Sequence, residues 1–251
     1  MCNQIIKIAL AQFDNDLNHI NRTMSKIEEI VKKASQKKVD FLVFPELFLT
    51  GYDLPYIMEK NNILEINDER ILSLCQMAKR NDISFLIGLP LRIQNRVYIS
   101  ALYINCEGNI EEIISKNYLY GMESEFFTPG TVAKLITIKG FRIGIGICFD
   151  SAHSEHITAL KDRGIDMFIG SSLYSREEGE KEMEHNFSQI SSKYDILSAV
   201  VNYADKTGNW LSCGNSSFYD KTGHIYMKLA ECKEGLLISQ IQKDGTVCKY
   251  V

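Results

Sequence analysis

The sequence predicts one α/β unit in which helices cover the outer faces of two β-sheets packed on each other, and three observations carry that reading. Apolar residues switch between a period of two and a helical period in both halves of the chain, so strands and helices alternate throughout. The 251 residues hold only 4 prolines and 16 glycines, thinly spread, and no Pro-rich or Ser/Gly-rich linker or solenoid repeat divides them. A composition 45% hydrophobic and 24% charged is that of an ordinary globular protein, so residues 1–251 are read as a single domain.

Each element has its own signal. QIIKIALAQF (4–13) reads as a buried strand, and 19–38 as a helix with Ile20, Met24, Ile27, Ile30, Val31 and Ala34 at helical spacing. DFLVF (40–44) is a second strand, stopped by Pro45. A helix follows over about 67–81, with Ile71, Leu74, Cys75 and Ala78 on one face. The strands 83–90, 96–105 and 110–119 form a meander, with the turn signal EGN (107–109) between the last two. The second half restates the theme: strands at 134–138 and 141–148, a helix at 154–163, a strand at 166–170, a helix at 181–194 and a strand at 197–203. A hairpin over 216–227 turns at Lys221, Thr222 and Gly223, and 235–242 is the last strand.

The bulk numbers exclude several functions. A formal net charge of −4 leaves no surplus of positive charge to neutralise a phosphate backbone, so nucleic acid is not an expected partner. The charged runs 32–38 and 176–185 read as solvated helix faces and are given no function. No segment approaches the roughly 20 apolar residues of a membrane helix, and the N-terminus lacks the small-residue cleavage pattern of a secretory signal. A cytoplasmic location without membrane attachment is therefore expected. Seven cysteines (2, 75, 106, 148, 213, 232, 248) form an odd set without a C-x-x-C pair, which suits neither a disulfide framework nor a zinc knuckle. No metal or cofactor is expected.

One cysteine stands apart. In RIGIGICFDSAHSEH (142–156) isoleucine alternates with glycine along a buried strand that ends at Cys148. A free thiol has a pKa near about 8.5, so a cysteine nucleophile needs a nearby cation or a base to take its proton. His153 and His156 follow on the next loop or helix, but without further ligands at metal spacing. Two other polar residues also stand where strands end. Glu46 follows strand 40–44 among Phe44, Leu47, Phe48 and Leu49, surroundings that desolvate a carboxylate and raise its pKa toward the range useful for proton transfer. Lys116 lies at the end of EEIIS, and Glu123 begins an irregular stretch running through Phe126 to the turn at Pro129 and Gly130. Taken singly, each reads as an ordinary exposed charge.

Together, and in this order, these residues resemble the carbon-nitrogen hydrolase family, the nitrilase superfamily. The similarity rests on FPELFLTGY around Glu46, KNYL at Lys116, E-x-x-x-F-x-P-G from Glu123 to Gly130, and C-x-D followed by Glu155. Asn202, the G-x-S from Gly214 to Ser216 and Gly223 extend it over nearly the whole chain. The resemblance implies an α-β-β-α sandwich in which Cys148 attacks an amide or nitrile carbon, Glu46 is general base, Lys116 stabilises charge and Glu123 orients the site. It further implies that the Phe149 backbone N–H joins Lys116 as an oxyanion donor, and that the protein is a homodimer or higher homo-oligomer. The helices at 154–163 and 181–194 are the expected contact.

Departures from the family pattern bear on substrate. CFDSAHSE stands where many members have C-Y-D-x-R-F-P-E, with Ala152 replacing an arginine associated with gripping a substrate carboxylate, and QISSKYDI (189–196) lacks the charges of R-A-x-E-N. The expected substrate is thus a small primary amide, neutral or cationic at its far end, in a pocket walled by Tyr52, Phe126, Ser172 and Tyr174. N-carbamoyl amino acids, ω-amides of dicarboxylates and nitriles are the alternatives. Two further readings compete: an N-terminal nucleophile hydrolase using Cys2 after removal of Met1, and a non-catalytic relative that binds a ligand or partner in the same pocket.

Overall fold

The computed structural model describes residues 4–59 and 62–249. Cys2, the nucleophile of the competing N-terminal reading, lies outside them.

Two mixed sheets form the centre. In the first, β1 (Ile5–Gln12), β2 (Phe41–Val43), β3 (Ser84–Ile93), β4 (Arg96–Ile104) and β5 (Ile110–Ser115) lie side by side. The second contains β6 (Lys134–Ile138), β7 (Phe141–Ile147), β8 (Met167–Ser171) and β9 (Leu197–Val201). A separate two-stranded ribbon follows, β10 (Lys206–Thr207) with β11 (Trp210–Leu211). The second sheet is completed by β12 (Ser217–Tyr219) and β13 (Ile225–Lys228), and the first by β14 (Gly235–Gln242) and β15 (Val247–Lys249) on the free edge of β1. Strands β1, β2 and β3 are parallel, as are β7, β8 and β9; the other pairings are antiparallel.

Six helices complete the described chain: α1 (Ile20–Gln36), α2 (Leu54–Glu59), α3 (Glu69–Asn81), α4 (Glu123–Phe126), α5 (Ser154–Asp162) and α6 (Glu178–Tyr194). One apolar core joins both sheets and reaches α1 and α3; Ile8, Leu42 and Leu86 of the first sheet share it with Ile143, Ile145 and Ile169 of the second. A second core lies on the outer face of the second sheet, where Ile157 and Leu160 of α5 and Met183, Phe187 and Ile190 of α6 cover Phe168 and Val200. Helices thus cover both sheets on the outside, the α-β-β-α sandwich expected from sequence.

The glycines of β7 have a packing reason. A Cβ at Gly144 would lie 2.9 Å from an Ile165 methyl and 3.0 Å from one of Leu160, and at Gly146 2.6 Å from the Phe168 ring. Isoleucines of β7 fill the inner core while its glycines make room for the side chains on the outer face.

Several boundaries differ from expectation. The strand expected over 110–119 stops at Ser115, so Lys116 stands just beyond the ladder, although its N–H still donates to Ile99 O at 2.9 Å. The strand expected to include Cys148 stops at Ile147, and residues Cys148–Ala152 form a 3₁₀ turn. Short α2 and α4, the ribbon and β15 carry too few residues for periodicity to reveal them.

Candidate active site

The parallel strands of both sheets deliver their C-terminal ends to one place. Glu46 follows β2, Cys148 follows β7, Leu173 and Tyr174 follow β8, and Asn202 follows β9. Open α/β sheets place ligands at such strand ends, where loops rather than ladders occupy the backbone.

Glu46 reaches the site because the chain crosses closely over β3. A Cβ on Gly88 would stand 2.4 Å from Leu47 N and 2.6 Å from Pro45 O, so no other residue leaves room for this crossing. Leu47 takes φ +50° within it, and the Leu49 N–H closes it onto Gly88 O at 3.1 Å. Tyr203 Oη donates to Glu46 O at 2.7 Å, and Ser171 Oγ to Phe44 O at 2.8 Å, so the second sheet holds the loop of the first.

The three charged residues meet in the interior. Lys116 Nζ donates to Glu46 Oε1 at 2.8 Å and to Glu123 Oε1 at 2.7 Å, and all three residues are only 1% exposed. Tyr52 Oη donates a short hydrogen bond to the same Glu123 oxygen, while the Tyr120 N–H donates to Glu123 Oε2 at 2.8 Å. Glu123 is thereby fully engaged. Glu46 Oε2, by contrast, is buried without a partner among the described residues.

Burial is the largest influence on Glu46; together with the charge of Glu123 it outweighs Lys116 and pushes the Glu46 carboxyl up to about 7. Lys116 is held protonated well above the ordinary lysine range, because its two carboxylates and the neighbouring Cys148 overcome its own burial. Nearness to Lys116 does not bring the Cys148 thiol below its usual value. Burial and the charge of Glu46 raise the thiol well above its usual value, since the lysine's charge is already shared between two carboxylates. The thiol is therefore neutral at rest and needs a base at the moment of attack.

Cys148 occupies a strained position, with φ +47°, at the first residue of the 3₁₀ turn. Its thiol donates toward Leu173 O at 3.4 Å, and the residue as a whole is half-buried. Asp150 fixes the turn. One carboxylate oxygen accepts from the Asn117 and Tyr118 N–H groups, both at 2.9 Å, and the other from the Ile147 N–H at 2.9 Å. This one buried side chain ties the nucleophile turn to the backbone that carries Lys116.

Asn202 fixes the segment after β8 in the same manner. Its Oδ1 accepts from the Tyr174 N–H at 3.0 Å, and its Nδ2 donates to Tyr174 O at 3.1 Å and Gly214 O at 3.0 Å. Ser216 links this to the first sheet: its Oγ accepts from the Asn202 N–H at 3.0 Å, and its own N–H donates to Gln12 Oε1 at 2.8 Å.

The two histidines after Cys148 are held by other partners. His156 is buried rather than solvated, with Nε2 3.1 Å from Ile145 O and Nδ1 3.2 Å from Asn117 Nδ2. Because a carbonyl only accepts, Nε2 carries the proton and Nδ1 accepts. His153 stacks on Tyr118 at 3.6 Å and lines a different depression from Cys148. Among the described residues no group of three or more His, Cys, Asp or Glu is placed to hold a metal ion, and no helix is long and apolar enough to cross a membrane.

Cys148 opens into a small chamber of about 60 Å³, lined by Tyr52, Tyr120, Glu123, Phe149, Leu173, Tyr174 and Trp210, with Ser175, Gly179 and Glu182. An outer chamber of about 430 Å³ adjoins it, sharing Tyr52, Tyr120, Glu123 and Trp210 and adding Asp53, Leu54, Pro55 and Met122. Of the expected wall residues, Tyr52, Phe149 and Tyr174 line the inner chamber. Phe126, Ser172 and Ala152 line neither chamber: Phe126 packs against the core, Ser172 is wholly buried, and Ala152 is exposed on the 3₁₀ turn. Tyr120, Glu182 and Trp210 were missed. Loops have no period to mark Tyr120 or Trp210, and Glu182 belongs to a charged run that reads as a solvated face.

The carbon-nitrogen hydrolase profile matches residues 7–250, and the chain belongs to that family. It is 27% identical over 169 residues to a nitrilase of Pyrococcus abyssi, covering 65% of this chain and 63% of that one. It is 23% identical over 233 residues to the glutamine-dependent NAD(+) synthetase of Thermotoga maritima, covering 90% of this chain but 40% of the synthetase. The chain thus spans less than two thirds of either relative. In fold it matches an amidase from Nesterenkonia sp. AN1 with a TM-score of 0.87 at 20% identity, covering 96% of this chain and 92% of the amidase.

Proposed function

We propose that this chain hydrolyses a small-molecule amide through a thioester on Cys148. The observation that carries the reading is the Lys116 ammonium held between the buried carboxylates of Glu46 and Glu123 beside Cys148, which lines a chamber. Glu46, with a pKa raised to about 7, is poised to take the thiol proton as sulfur attacks the amide carbon. The carbonyl π pair moves onto oxygen, where Lys116 and the Phe149 N–H are the expected donors; one such donor is typically worth about 10²–10³ in turnover. Collapse breaks the carbon-nitrogen bond, and the proton held by Glu46 passes to the departing ammonia. Water then attacks the thioester with Glu46 again as base, giving the carboxylic acid and restoring the thiol.

The same reading gives a preference for amides that are neutral or cationic at their far end over carboxylates. The ground is no longer Ala152, which lines neither chamber, but that among the described residues no lysine, arginine or histidine lines either one. Arg176, a candidate substitute cation, is ion-paired to Asp205 and Glu231, both at 2.7 Å. Homo-oligomerisation is part of the proposal and is tested by light scattering against the 28.6 kDa of one chain. The activity is tested by ammonia release from a panel of aliphatic amides, an ω-amide of a dicarboxylate, an N-carbamoyl amino acid and a nitrile. Release from amides that disappears in Cys148→Ala supports the reading; release from none of the panel contradicts it.

A further inference from the structure

The acids of α6 are not equivalent. Glu178 pairs with Lys181 at 2.7 Å, and Glu180 and Glu184 pair with Lys228 at 3.4 and 2.8 Å. Glu182, between them, pairs with no cation among the described residues, and it is the one of the four that lines the chamber of Cys148. Gly179, three residues earlier on the same face, lines it too; a Cβ there would stand 2.7 Å from Ser175 Oγ, so glycine lets the helix approach the segment after β8.

Two aromatic pairs stand in the same lining. Trp210 meets Tyr52 edge-on at 6.1 Å, and Tyr120 meets Phe149 at 5.2 Å in the same manner. Trp210 and Tyr120 remain 38% and 49% exposed at the junction of the two chambers. Asp53 adds a second carboxylate to the outer chamber. Aromatic faces and an unpaired carboxylate attract a cation, and both repel an anion.

Resting on the amide-hydrolase reading above, we infer that the substrate is an amide bearing a second, positively charged amine, which lies between the Glu182 carboxylate and the rings of Trp210 and Tyr120 while the amide carbon meets Cys148. Glu182 is the specificity-determining residue. It supplies the charge that the paired acids of α6 cannot, and the aromatic mouth supplies a surface on which an ammonium group loses water at less cost.

The test uses three matched primary amides of equal chain length, ending in methyl, ammonium or carboxylate, over a range of lengths. Ammonia release gives kcat/KM for each. The unmodified enzyme should favour ammonium over methyl by about tenfold or more at the best length, with carboxylate last. Glu182→Gln should lower the ammonium-to-methyl ratio about fivefold or more, mainly through KM, and Glu182→Lys should move carboxylate ahead of ammonium. Trp210→Ala should lower the same ratio, and Trp210→Phe should restore part of it. Equal use of methyl and ammonium amides, or a ratio unmoved in Glu182→Lys, overturns this inference and leaves amide hydrolysis standing. No ammonia from any of the three at any length, from enzyme that melts as a folded protein, overturns both.

Discussion

The floor and the mouth of the cavity are made of opposite materials. On the floor, Glu46, Lys116 and Glu123 are almost wholly buried; Tyr52 holds the Glu123 carboxylate, and Tyr203, Asp150 and Asn202 hold the surrounding backbone. At the mouth, Trp210 on the short ribbon and Tyr120 on a loop are well exposed, and Glu182 pairs with no cation among the described residues on a helix whose other acids are paired. Burial explains the difference in chemistry. A carboxylate deep in the protein feels its neighbours strongly, so Glu46 is shifted into the range of a working base, whereas groups at the mouth are screened and can only bias which ligand stays.

The comparison is broken first at the floor. Cys148→Ala and Glu46→Gln should each lower kcat by about 10³-fold or more, and the double variant little further, because groups that act as one unit are not additive. Additive losses in steady-state ammonia release would show that Glu46 does not serve Cys148.

Next comes stability. Lys116→Ala leaves two buried carboxylates without their cation and should cost about 3–5 kcal/mol in urea unfolding. Arg176→Ala breaks partly exposed ion pairs and should cost about 1 kcal/mol or less. Equal costs would mean that the floor is wetter than its burial indicates.

Acidity supplies a third test. Glu46 works as a carboxylate, so kcat/KM should rise with pH through about 7, and should fall by about tenfold per pH unit below it. A limb that stays in Glu46→Gln belongs to another group. Asp150→Asn then tests how the floor is held. Losing one acceptor oxygen of a buried carboxylate that receives three N–H groups should lower kcat by about 10–100-fold, with a smaller change in KM.

The smallest effect concerns thiols. Cys106 and Cys232 are exposed, so both should label with iodoacetamide. Only at Cys148 should labelling slow when an amide substrate is added or Glu46 is changed to Gln. Protection of all three alike would contradict a site-specific nucleophile.

The floor was legible in the sequence and the mouth was not, for a physical reason. Glu46, Lys116 and Cys148 each interrupt or end an apolar strand pattern, and such a break is visible because a run of apolar residues precedes it. Glu123 was recognisable only by its spacing to Phe127, Pro129 and Gly130, since α4 is a single turn. Trp210 lies on a two-residue strand and Tyr120 in a loop, where no period exists to violate. Glu182 was concealed differently: the run 176–185 is solvated for the most part and Glu182 is itself exposed, yet it borders the cavity with Gly179, where α6 approaches Ser175. Sequence also overstated the role of Ala152, because the 3₁₀ turn after Cys148 carries that residue out to solvent.

The account stands on an acyl group passing through Cys148. Rapid acid quench of the enzyme turning over a simple aliphatic amide, followed by intact mass and peptide mapping, tests it most directly. The acyl mass should appear on the peptide containing Cys148 and on no other cysteine, and should be absent in Cys148→Ala, which should also release no ammonia. Turnover that persists in Cys148→Ala, or an acyl group found on Cys2, would contradict the account.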